Sequence, residues 1–83
     1  MKHVVCYDNE GKTADRYTVI FTNRKNPNGT YDCLGMNEHP FHPQGFGQHS
    51  TAARGRHLGK KIQFENLPPD CQKFVKQNLE EQE

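Results

Sequence analysis

Apolar positions concentrate in Arg16-Tyr17-Thr18-Val19-Ile20-Phe21-Thr22, the clearest strand in the chain. The run is dense in β-branched and aromatic residues and predicts a strand. A period of two puts Tyr17, Val19 and Phe21 on one face, read as the core side, and Thr18, Ile20 and Thr22 on the other. A shorter run, Val4-Val5-Cys6-Tyr7, precedes it and stops at Asp8-Asn9-Glu10-Gly11, a turn sequence whose glycine can take positive φ. Beyond the long strand, Asn26-Pro27-Asn28-Gly29 predicts a tight reversal. Pro27 presets φ for a type I turn, and Gly29 suits the left-handed position of a bulged hairpin loop. Thr30-Tyr31-Asp32-Cys33-Leu34-Gly35-Met36 then reads as a third strand of a meander.

The alternation stops there. Residues 37–58 show a period of neither 2 nor 3.6 and predict a long connection, ordered in its first half by its phenylalanines and prolines and mobile around residues 50–55. Lys60-Lys61-Ile62-Gln63-Phe64 alternates again, with Ile62 and Phe64 inward, and offers a fourth strand. Leu67-Pro68-Pro69-Asp70 opens a helix over about residues 69–80. Pro69 suits the first helical position and Asp70 complements the positive end of the dipole. Cys71, Phe74, Val75 and Leu79 fall on one helical face, and residues 80–83 are expected to fray. The fold class predicted is α+β over residues 1–83 as a single small domain. A small antiparallel sheet of three or four strands packs on one C-terminal helix and carries a long ordered loop.

Composition narrows the function classes. The hydrophobic share is 31%, against roughly 45–50% in globular proteins when glycine is counted as apolar. A thin core follows, which favours completion by a partner or a second copy. The net charge of +1 argues against coating nucleic acid by bulk electrostatics. Cys6, Cys33 and Cys71 are odd in number and far apart, so neither a disulfide framework nor a Cys-x-x-Cys zinc knuckle is suggested. With no apolar stretch of signal-peptide or membrane-spanning length, the expectation is a cytoplasmic protein that does not enter a membrane.

The candidate chemistry gathers in the aperiodic segment. His39-Pro40-Phe41-His42-Pro43-Gln44-Gly45-Phe46-Gly47-Gln48-His49 runs on into the basic tract Arg54-Gly55-Arg56-His57-Leu58-Gly59-Lys60-Lys61. Loops held on a rigid scaffold are where binding residues concentrate. Imidazole is the commonest metal ligand, and His39, His42 and His49, with Cys33 or Glu38 added, are the metal candidates. No His-Glu-x-x-His or facial-triad spacing accompanies them, and the prolines beside His39 and His42 favour extended backbone. No metal or other cofactor is therefore assigned. A thiol–imidazole pair of Cys33 with His42 or His57 is the catalytic candidate, opposed by the core-like positions of the cysteines. Arg54, Arg56, Lys60 and Lys61, with no acid across residues 46–63, offer phosphate contacts beside the stacking rings of Phe41 and Phe46. No RNP-type motif or helix-turn-helix accompanies them. The glycine spacing is wrong for a phosphate loop.

The eleven-residue histidine segment, with His57-Leu58-Gly59-Lys60-Lys61-Ile62 and Leu67-Pro68-Pro69-Asp70-Cys71-Gln72-Lys73, resembles a group of small uncharacterised bacterial proteins. That group has no assigned activity, so the resemblance transfers no functional residue. The function expected is that of a non-enzymatic binding or adaptor protein acting through residues 39–61. Its surface comprises His39, Phe41, His42, His49, Arg54, Arg56, His57, Lys60 and Lys61, and its partner is another protein or a second copy. The alternatives are a nucleic-acid-binding accessory protein using the basic tract and, third, a metal- or thiol-dependent enzyme.

Overall fold

The long alternating strand is the middle of the sheet. In a computed structural model that describes residues 3–81, β1 (Val4–Asp8), β2 (Tyr17–Lys25), β3 (Tyr31–Met36), β4 (Gly47–Ala52) and β5 (Lys60–Ile62) are antiparallel in the order β4-β3-β2-β1-β5. One helix, α1 (Pro69–Glu81), follows. The α+β class with an antiparallel sheet and a single C-terminal helix is as expected. Pro69 is the first helical residue, and the helix runs through Glu81, so the fraying expected from residue 80 does not begin at 80 or 81; residues 82–83 lie outside the described residues. The hairpin also forms as read. Gly29 has φ 87°, its amide donates to the Asn26 carbonyl at 3.0 Å, and the Asn26 amide donates to the Thr30 carbonyl at 2.7 Å.

The sheet has five strands because residues 47–52, inside the segment read as a loop, pair along the whole of β3 from Met36↔Gly47 to Tyr31↔Ala52. Backbone pairing creates this strand. Its side chains are exposed except for the half-buried Ala52, so no apolar alternation marks it. Phe64 is buried as expected, but in a 3₁₀ turn (Phe64–Asn66) that swings the chain from β5 towards α1.

Tyr17, Val19 and Phe21 face α1, as their period requires, and share that core with Cys6, Leu34, Met36, Phe64, Leu67, Cys71 and Val75. Fully buried aliphatic and aromatic side chains of this kind each contribute about 1.5–3 kcal/mol. The opposite face is also covered. Tyr7, Ile20 and Cys33 are buried there beside Val5, Tyr31, Ala52 and Leu58. The topology explains this second cluster. β4 and β5 are the two edges of the sheet, so residues 53–59 must cross it from one side to the other. That strap lays Leu58, in the 3₁₀ turn Arg56–Leu58, on the face away from the helix.

Candidate functional site

Asn37 closes the loop that leads into β4. Its side-chain oxygen accepts the His39 amide at 2.9 Å and the Phe46 amide at 3.0 Å, and its own amide donates to the Phe46 carbonyl at 2.9 Å. The Cys71 thiol donates to its carbonyl at 3.1 Å, which ties the loop to the first turn of α1. Between these ends the chain makes two successive turns, His42 amide to His39 carbonyl and Gly45 amide to His42 carbonyl. A Cβ on Gly45 would lie 1.6 Å from the His39 carbonyl oxygen, so only glycine fits. The loop is ordered by hydrogen bonds more than by buried rings. Phe46 is half-buried, whereas Phe41 is 44% exposed. The Phe41 ring stands edge-on to Phe74 at 5.7 Å, with the Lys73 ammonium 5.5 Å from its centroid.

The histidines separate. The rings of His39 and His42 lie 6.5 Å apart at the loop, and the Nδ1 of His42 accepts the Gln44 amide at 3.1 Å. His49 is on β4, where its ring hydrogen-bonds the side-chain oxygen of Asn78. Asn78 is buried on α1 and donates to the Phe74 carbonyl at 2.9 Å. Among the described residues no three His, Cys, Asp or Glu side chains gather closely enough to hold a metal ion. The three cysteines are unpaired and buried. Burial pushes the Cys6 thiol up to about 11 and the Cys71 thiol up to about 12, and raises Cys33 as well. All three are thiols at neutral pH.

The basic tract is divided by the strap. A hydrogen bond with the Tyr7 hydroxyl holds the Arg54 guanidinium above its ordinary value, with Tyr31 adding to the effect. Tyr7 and Tyr31 both belong to the cluster away from the helix, so Arg54 is turned onto that face. Arg56, His57 and Lys60 instead border a notch with Asp8, Asn9, Glu10 and Lys12. Lys60 pairs along the sheet with Asp8, whose carboxylate is held below its usual range by the hydrogen bond from Arg16 at 2.9 Å. Lys61 lies opposite Tyr7 on β5. The four cations of the tract therefore face different neighbours, some of them acidic.

What joins residues 37–52 into a surface is the edge of β4. The Asn37 amide bonds the Phe46 carbonyl, and an antiparallel ladder alternates between bonded and non-bonded pairs. Residues 48, 50 and 52 therefore turn their amides and carbonyls towards β3. Gly47, His49 and Thr51 turn theirs outward, away from the sheet. Sequence reading missed this strand. Its one legible mark is the absence of any charge or proline in Gly47-Gln48-His49-Ser50-Thr51-Ala52.

Comparison with protein-family models, curated proteins and solved structures finds no match for the chain. Among the described residues no helix is long and apolar enough to cross a membrane.

Proposed function

We propose that this is a non-enzymatic binding protein that captures another polypeptide by adding its extended backbone to the free edge of β4. The observation that carries the reading is the contrast between the two edges. β5 offers three residues, two of them lysine, which is how sheet proteins blunt an edge against unwanted pairing. β4 offers six residues with no charge, no proline and an unbroken register. An edge left open to that degree is the template used in strand-addition recognition, where main-chain bonds supply affinity and neighbouring side chains supply selectivity. Phe41, beside the start of β4, provides an apolar contact of the kind that anchors a partner. His39 and His42 border the same end. With three reduced thiols and no disulfide, the cytoplasm is the compartment that suits the chain.

Selection from a library of displayed random peptides tests this reading. Thr51→Pro removes an outward N–H without touching the bonds to β3, and proline is tolerated at such edge positions. Enriched peptides should bind the wild-type chain and fail to bind Thr51→Pro. Peptides that bind both equally, or a library that yields none, would overturn it.

A further inference from the structure

The edge of β4 has an exposed aromatic ring at one end and a groove at the other. Phe41 lies at the Gly47 end. A Cβ on Gly47 would touch the Phe74 ring and Pro40, each at 3.1 Å, and Phe41 leans on Phe74. At the Thr51 end, Phe21, Arg24, Asp32, His49 and Thr51, with the paired Cys33 and Ser50 between them, line a groove of about 330 Å³. Phe21 belongs to the core under α1, and Asp32 alternates in phase with Leu34 and Met36, so this groove opens on the helix side of the sheet. Phe41 is on the same side, through its contact with Phe74 of the helix.

Two features placed in this way at opposite ends of one antiparallel edge are brought together by a two-fold axis. We infer that the partner at the β4 edge is a second copy of this chain, paired β4 to β4 about His49, with Phe41 of each copy seated in the groove of the other. The inference rests on the strand-addition reading above and names its occupant. In this register Gly47 faces Thr51 of the second copy and His49 faces His49, so the outward amides and carbonyls of all three residues find partners. Gln48 lies opposite Ser50 in the non-bonded pairs, both polar and neutral, and β4 holds no Asp, Glu, Lys or Arg to set like charges against each other along the paired strands. Lys73, carried over Phe41, arrives beside Asp32 of the groove it enters. The result is a continuous ten-stranded sheet with both helices on one face.

Sedimentation equilibrium of the full chain between about 10 µM and 1 mM tests the inference. Wild type should pass from 9.6 kDa to twice that mass. Thr51→Pro and the exposed-site variant Phe41→Asp should each weaken association by at least about tenfold while their unfolding transitions stay cooperative. The register has its own readout. A mixture of Gln48→Cys and Ser50→Cys chains should form a cross-linked pair faster than either variant alone. A wild-type chain that stays at 9.6 kDa throughout would overturn the second copy as partner, while displayed peptides that still need the Thr51 amide would leave strand addition standing. Dimers that form equally well in both variants would place the interface elsewhere and overturn the inference.

Discussion

His49 on the edge strand and Asn78 on the helix are joined side chain to side chain, and this bond fastens β4 to α1. β4 has little else beneath it on that side, since its side chains are exposed up to Ala52. Asn78 is buried and its amide is already used on the Phe74 carbonyl. His49→Ala should therefore strand the Asn78 oxygen and cost about 1–3 kcal/mol in urea unfolding. Adding Asn78→Leu to that variant should recover part of the loss, because no polar atom is then left unpaired. A double variant no more stable than His49→Ala would show that the bond does not carry this load.

Gly45 meets the His39 carbonyl so closely that one methyl group must open the loop. Gly45→Ala should lower stability by about 1–3 kcal/mol and raise amide exchange at His39 and Phe46, whose bonds to Asn37 depend on the closed loop. Gly29→Ala has open space around it, and its cost of about 1–2 kcal/mol comes from the positive φ alone. That variant should leave exchange in the 37–46 loop unchanged.

Arg54 should act as part of the lid on the second face. Arg54→Ala frees the strap from the Tyr7 hydroxyl, and the thiol of Cys33 below should then react faster with an alkylating reagent. Arg56→Ala, at the notch beside Asp8, should leave the Cys33 rate at its wild-type value. Equal rates in the two variants would contradict the placement of the strap.

Stability should fall at both ends of the pH range, for different reasons. Asp8 is held low by Arg16, so its contribution is complete above the unfolded value of about 3.9 and is lost as pH falls through the lower folded value. Arg16→Gln should flatten this acid limb in urea unfolding. Cys6 and Cys71 are pushed up to about 11 and about 12, so the unfolded chain loses its thiol protons first. Stability should decline as pH rises past about 8.5, the ordinary thiol value. Cys71→Ala should reduce that alkaline slope.

The elements that the sequence announced are those that bury an apolar stripe. Tyr17, Val19 and Phe21 alternate because α1 covers one face of β2, and Cys71 and Val75 repeat because the sheet covers one face of α1. β4 was invisible for the complementary reason. A strand held by backbone bonds, with polar side chains exposed on both faces, carries no period to read. Burial of Ile20 opposite Val19 was equally hidden, since it depends on residues 53–59 crossing from one edge to the other. The histidines looked like one cluster because they are close in sequence. Pairing of β4 with β3 carries His49 to Asn78 and leaves His39 and His42 at the turn. Arg54 likewise left the basic tract for two tyrosines that lie far from it in sequence.

Docking of a second strand on the outward edge of β4 would show in residue-resolved amide exchange followed across protein concentration. Amides of Gln48 and Ser50, bonded to β3, should be protected at every concentration. Amides of Gly47, His49 and Thr51 should exchange freely in dilute solution and become protected as copies pair. Amides of Gly47, His49 and Thr51 that remain equally fast up to about 1 mM would rule out strand docking at this edge.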